Sequence, residues 1–367
     1  MKKVLVVGNG KHYFNQKLYT KLKSEGVHVD FFSDTNLDST EKSTYKKVYI
    51  ANIKDKVIPT IFKFRGGKGF YIDKYLKQEL KNVIRNNNYD IIHLQGARLW
   101  ALSAIQKSPA KKVLSVWGSD IYRVNKFKLL FLKRIVRKVN SITFTSSNTM
   151  NFFHQKIFSH KDNRLIRFGL ELIDIIENKS TSYKKNNSKT VIAIGYNGEK
   201  SQQHLEVINS LSQLPKSILS KIEIVLPFTY GSIDQAYKNS IKTILEKMDV
   251  QYSFLEKFLP EEELALFRLK TDIMIQVQVS DQFSGSMQEH LYAGNIIITG
   301  NWLEYSDLIE QGAVYKTINN IDSVAKMIEE ILPELNKHQQ TCQGNANIIR
   351  NLSSWSNNLS KWKKLYH

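Results

Sequence analysis

Two carboxylates with seven residues between them bracket a Ser/Gly loop, Asp281-Gln-Phe-Ser-Gly-Ser-Met-Gln-Glu289. The loop follows Asp272-Ile-Met-Ile-Gln-Val-Gln-Val279, an apolar run that reads as a buried strand. It leads into Met287-Gln-Glu-His-Leu-Tyr-Ala, a helix expected to end at Gly294. A strand, a short loop and a helix start leave free N–H groups and the positive dipole end pointing into the loop, which suits an anion. Ser284, Gly285 and Ser286 are the amides expected at a diphosphate, with Gly285 allowing close backbone approach. Glu289 can accept two hydroxyl hydrogen bonds. Amides for phosphate and carboxylates for hydroxyls fit a nucleotide-diphosphate sugar. The plain alternatives are a Ser-capped helix start, an N-capping Asp281 and a solvated Glu289.

Short β-rich runs alternate with longer helical ones, the pattern of parallel sheets with crossover helices. The first half offers strands at Lys3–Val7, His28–Ser33, Lys47–Ala51, Asp90–Leu94, Lys112–Val116, Ser141–Thr145 and Arg164–Arg167. Helices fit Tyr13–Glu25, Ile72–Asn86 and Leu129–Val139. The polar segment Glu177–Lys189 reads as a linker or surface loop. The alternation then restarts with strands at Thr190–Ile194, Ile222–Leu226 and Gln251–Leu255, and helices at His204–Gln213, Gln235–Met248 and Glu261–Leu269. Two Rossmann-like domains account for this: residues 1–180, then 181–350, with residues 351–367 a helix returning toward the first.

The chain has 367 residues and a formal charge of +19, which favours anionic partners. The same surface also suits a Lys- and Asn-rich composition with no binding role. No apolar run reaches about 18 residues, so no membrane span is expected. Cys342 is the single cysteine, which excludes an internal disulfide and a Cys-based metal site and points to a cytoplasmic location. No Asp-x-Asp occurs, so neither a metal nor another cofactor is expected. No helix-turn-helix, RNP-like or zinc pattern supports nucleic-acid binding.

Further candidates lie at strand ends of the first domain, where ligands gather in open α/β sheets. They are His93 and Asp120, with a structural histidine as the alternative at position 93. Gly8-Asn9-Gly10, with His12 just beyond, is too short for a dinucleotide fingerprint.

Together these pieces resemble a GT-B glycosyltransferase, with two Rossmann-like domains facing a central cleft. The Asp281–Glu289 stretch is similar to the acid–seven-residue–Glu motif of glycosyltransferase family 4, with Asp where Glu is usual. Asp90-Ile-Ile-His-Leu-Gln-Gly and Val116-Trp-Gly-Ser-Asp-Ile-Tyr122 are similar to that family's first-domain strand ends, with Trp117 in place of His. Ile194-Gly-Tyr-Asn-Gly-Glu-Lys-Ser-Gln-Gln-His204, Val225-Leu-Pro-Phe-Thr-Tyr-Gly231 and Leu264-Ala-Leu-Phe-Arg268 resemble the TDP-fucosamine–lipid transferases.

The resemblance implies transfer from a UDP, TDP or GDP sugar to a glycan or a polyprenyl-diphosphate-linked acceptor in surface polysaccharide synthesis. It implies Glu289 on the ribose, Asp281 on the transferred sugar, and Lys200, after Gly195, on the leaving phosphate. Tyr230 and Phe258 would lie near the donor, and Gly10 near its phosphates. His93, Trp117, Gly118 and Ser119 would lie on the acceptor side. A retaining course is implied; the inverting alternative needs a base, His12 or Asp120. A nucleotide-sugar epimerase of the related fold is a further reading. A basic amphipathic helix over residues 125–139, with Phe131 assigned to its apolar face, and the loop Ile58–Tyr71 are candidate contacts for an anionic membrane surface.

Overall fold

The computed structural model describes residues 2–51, 67–122, 124, 126–185, 188–281 and 283–367, without the side chains of Ser119 and Lys126. The suggested membrane loop lies outside these residues up to position 66, and positions 67–71 open the helix Gly67–Arg85. There are two compact units, Met1–Gly169 with Trp355–His367, and Leu170–Ser354.

The first unit holds seven parallel strands: β1 Val4–Gly8, β2 Val29–Ser33, β3 Lys47–Ile50, β4 Ile91–Gln95, β5 Lys111–Val116, β6 Ser141–Phe144 and β7 Asn163–Leu165, in the order β3-β2-β1-β4-β5-β6-β7. Strands β1, β2 and β4 are buried throughout, as a sheet covered on both faces requires. Alternation sorts their residues. Leu5, Val7, Ile92 and Leu94 enter the core under the helices Gly67–Arg85, Leu99–Ile105 and Lys126–Val136. Val4, Val6, Phe31 and Ile91 enter the other, beneath Tyr13–Ser24 and the C-terminal segment. That segment is fixed by polar contacts as well as apolar ones. Trp362 donates its indole N–H to the Arg167 carbonyl at 2.8 Å, and the Tyr366 hydroxyl lies 3.2 Å from that of Tyr19.

The second unit holds six parallel strands: β8 Thr190–Ile194, β9 Ile222–Pro227, β10 Gln251–Leu255, β11 Ile273–Gln276, β12 Ile296–Gly300 and β13 Lys316–Ile318, ordered β10-β9-β8-β11-β12-β13. Both sheets share one doubly wound order. Each therefore has a point where the chain leaves neighbouring strands in opposite directions, between β1 and β4 and between β8 and β11.

Three boundaries differ from the sequence reading. The first unit ends at Gly169, because the helix Leu172–Ser180 buries Leu172, Ile173 and Ile176 and packs against Glu261–Lys270. Glu177–Ser180 are thus helix rather than linker. Strand β11 stops at Gln276, since the Val279 amide donates to the Ser201 carbonyl at 2.9 Å instead of to a neighbouring strand. Strand β13 has three residues, too few for its alternation to show in the sequence.

Candidate active site

At the switch point of the second unit, Ser284 caps the helix Gly285–Tyr292 by accepting from the Met287 amide at 3.2 Å. The loop before it is held by Asp281. One oxygen, Oδ2, accepts from the Ser284 amide at 3.0 Å, the Tyr305 hydroxyl at 2.8 Å and the Gln276 amide at 3.4 Å. Its Oδ1 has no hydrogen-bond partner among the described residues. The Ser284 amide is therefore occupied, which removes it from the expected phosphate donors. Gly285 and Ser286 carry the amides left at the first turn. Phe283 sits at φ 65°, a conformation costly for a bulky side chain and frequent at binding loops.

Glu289 does not face solvent. Arg268 donates to its Oε2 from Nε at 3.0 Å and from Nη2 at 2.9 Å, and its side chain is only 14% exposed. Burial pushes the Glu289 carboxyl up, and the Arg268 guanidinium opposes that shift. Arg268 also meets His290 at 3.0 Å, and Asn295 ties His290 to the Arg268 carbonyl. The helix Gly285–Tyr292 and the helix Glu261–Lys270 thus share one buried polar network beneath the anion loop.

Two tyrosines complete this wall. The Tyr196 hydroxyl is pushed up to about 12 by burial and then by the charge of Asp281. Tyr196 follows Gly195, whose φ is +64° and where a Cβ would meet His204 Nε2 at 2.9 Å, so glycine is favoured there. Tyr230 is 44% exposed as a residue, but desolvation of its hydroxyl end still raises its pKa, and it feels both Glu289 and Asp281. The Tyr230 ring runs parallel to that of Phe258, 6° between planes and 5.8 Å between centroids, and both are exposed.

Lys200 departs from its expected place. Its ammonium pairs with Asp234 at 2.7 Å and lies over the Tyr237 ring, because Asp234 caps the neighbouring helix Gln235–Met248. Arg268, not Lys200, is the cation bonded to the ribose candidate.

At the switch point of the first unit, a cavity of about 170 Å³ is lined by Asn9, His12, Gln95, Arg98, Trp117 and Asp120, among others. His12 stands before the helix Tyr13–Ser24, with its ring edge-on to Trp117 at 4.6 Å. Its Nδ1 is buried without a hydrogen-bond partner. Burial, then Arg98, hold its pKa below the ordinary 6.5. Arg98 is ion-paired to Asp34. Trp117 donates its indole N–H to Gln95 at 3.1 Å.

Three first-unit candidates are corrected. His93 is fully buried between Tyr366, 2.6 Å from Nδ1, and Ser115, 2.7 Å from Nε2, and burial takes its pKa down to about 3. It is a neutral core group and not an acceptor contact. Asp120 accepts the Ala97 amide at 2.6 Å and the Trp117 amide at 3.1 Å, one on each oxygen, so it ties two loops together. Burial raises its carboxyl in spite of those donors. Gly10 turns inward: its amide donates to Ser33 Oγ at 3.3 Å and its carbonyl accepts from Tyr45 at 3.1 Å. Gly118, at φ +95°, turns the chain into the short helix Ser119–Tyr122.

The family model described as "4-alpha-L-fucosyltransferase glycosyl transferase group 56" matches residues 23–261, well over half of the chain. The chain belongs to this family of glycosyltransferases. Solved structures share its GT-B fold along the whole length. A glycosyltransferase from Rickettsia africae superposes with a TM-score of 0.77 at 14% identity, covering 100% of this chain and 98% of that one. A sucrose-phosphate synthase from Thermosynechococcus elongatus gives 0.73 at 13% identity, with 100% and 98% covered. Anabaena HepE in complex with UDP and glucose gives 0.71 at 12% identity, with 100% and 99% covered.

Sequence reasoning quoted the run ending in Arg268 of this transferase without giving the arginine a role. It missed Tyr196, Tyr305 and Arg98 as well. Only the position of Arg98, three residues past the end of β4, could have marked it.

Proposed function

We propose that this family member transfers a sugar from a nucleoside-diphosphate sugar to a lipid-linked or glycan acceptor at the cytoplasmic face of a membrane, in surface polysaccharide synthesis. The observation that carries the donor half is the Arg268–Glu289 pair beneath the Gly285 and Ser286 amides. Arg268 favours the charged carboxylate against the effect of burial, and Glu289 Oε1 is left to accept ribose hydroxyls. The two amides and the helix dipole would face the diphosphate. The parallel Tyr230 and Phe258 rings offer a stacking surface for the base. HepE, bound to UDP and glucose, favours a pyrimidine nucleotide. The family description and the likeness to TDP-fucosamine transferases favour a fucose-type sugar.

For the chemistry we favour the inverting course. Asp120 is bonded to two amides and three donors converge on one oxygen of Asp281, whereas His12 has a ring nitrogen without a hydrogen-bond partner and a depressed pKa. Neutral His12 would accept the acceptor hydroxyl proton as that oxygen attacks the anomeric carbon and the nucleoside diphosphate leaves. The negative charge of the leaving group would be met by the Gly285 and Ser286 amides. The retaining course keeps support from the free Oδ1 of Asp281, placed to hold a sugar hydroxyl.

Thermal unfolding with UDP, TDP, GDP and their sugars tests the donor. A bound ligand at 100 times its Kd stabilises by about 2.7 kcal/mol, and no shift with any of them would count against the reading. The anomeric configuration of the product, read by NMR, decides between the two courses.

A further inference from the structure

The helix Lys126–Val136 forms most of the basic amphipathic stretch over residues 125–139. It buries Leu132 and Val136, but Phe127, Leu130 and Phe131 stand 79%, 67% and 60% exposed. Their spacing, i, i+3 and i+4, places them on one strip, on which Arg134 continues the i, i+4, i+7 series. Single exposed apolar residues are ordinary, but three large ones on a single strip are not. Lys128, Lys133, Arg134 and Arg137 are all exposed around them. No Asp or Glu occurs between Asp120 and Asp162, so the segment's own charges are all positive. Among the described residues, Asp73 of the helix Gly67–Arg85 is an acidic side chain whose carboxyl feels Lys128. The same helix carries Phe70, 64% exposed.

We infer that this strip is a membrane-docking surface. Phe127, Leu130 and Phe131 enter the headgroup boundary of an anionic bilayer, and the surrounding lysines and arginines meet the lipid phosphates. Aromatic and leucine side chains set among cations are what an interfacial helix needs, and charge complementarity selects anionic lipid over neutral. Among the described residues no helix is long and apolar enough to cross a membrane, so contact through this strip is attachment from one side. The inference goes beyond the transferase reading: a lipid-linked acceptor gives it a use, but vesicle binding is measured without turnover.

The test is co-sedimentation of the full chain with vesicles of phosphatidylglycerol and phosphatidylcholine, and with phosphatidylcholine alone. Preferential binding to the anionic vesicles, weakened by salt, is expected. The variant Phe127→Ser/Leu130→Ser/Phe131→Ser should lose on the order of a hundredfold in partitioning. Lys133→Gln/Arg134→Gln/Arg137→Gln should lose on the order of tenfold or more. Nucleotide-induced thermal shifts, measured on the same preparations, report whether each variant is folded. The inference is overturned if folded variants sediment as the parent does, or if the parent ignores anionic vesicles. A parent dimer that the serine variant converts to monomer would instead assign the strip to a second copy and overturn it too.

Discussion

Arg268 places two hydrogen bonds, from Nε and Nη2, on the same oxygen of Glu289, at 3.0 and 2.9 Å. The other carboxylate oxygen has no hydrogen-bond partner among the described residues. A residue that aims another in this way contributes both to stability and to affinity, and the two effects separate by substitution.

Arg268→Ala leaves Glu289 buried without its counter-charge, and denaturant unfolding should show a loss of about 3–5 kcal/mol. Arg268→Lys keeps the charge but loses the fork, so it should fold while donor KM rises about tenfold or more and kcat changes less. An unchanged donor KM in Arg268→Lys would remove Glu289 from the ribose.

Glu289→Gln keeps the shape of the side chain and removes its charge. Hydrogen bonds to charged groups contribute about 1.5–3 kcal/mol, so nucleotide affinity by calorimetry should fall about ten- to a hundredfold. The loss should be the same for the free nucleoside diphosphate and for the sugar nucleotide, because the ribose is common to both.

His12→Gln should lower kcat by about 10²–10⁴ with donor KM nearly constant. The pH profile carries the sign. A base works unprotonated, and the His12 pKa lies below 6.5. The rate should therefore still exceed half its plateau at pH 6.5 and fall only on further acidification. The variant should lose that limb, and a variant retaining the parent's kcat and acid limb would exclude His12 as the base.

Acid should unfold the protein through histidines outside catalysis. His93 and His204 are buried and each is lowered to about 3. A folded-state pKa below the unfolded value means that the unfolded chain takes up more protons as pH drops, so stability is full above 6.5 and declines from there toward 3. At pH 5 each should cost on the order of 2 kcal/mol, seen as a lower urea midpoint than at pH 7.5. His93→Gln should flatten part of that decline, and an unchanged slope would argue that His93 stays uncharged in both states.

The fold was legible because parallel strands buried on both faces read as plain apolar runs, which is how β1, β4 and β8 stood out. Strand ends then pointed to the loops at His12 and Asp281. What could not be read was which polar groups use one another. Asp120 and the Ser284 amide had the right chemistry, but Asp120 is taken up in tying two loops together and the Ser284 amide in a contact within its own loop. Lys200 is drawn aside by Asp234, thirty-four positions on, and Arg268 reaches Glu289 from a different helix. Such pairings are made by packing, and neither helical period nor strand alternation records them. Phe131 shows the converse: the helical wheel grouped it with the apolar residues, and the packed helix left it exposed.

The C-terminal segment has a consequence for how the chain is made. Trp355, Trp362, Leu365 and Tyr366 close one face of a sheet whose strands end at Leu165. Between the two lie all the residues of Leu170–Ser354, which at about 5–20 residues per second take a ribosome roughly ten seconds or longer to supply. During that interval the unit begun first is missing a wall, while the unit begun second already has every residue of its own core. Completion of the first unit therefore runs against the order of synthesis, and the nascent first unit, its apolar strand face covered only in part by the helix Tyr13–Ser24, is the stage most in need of a chaperone.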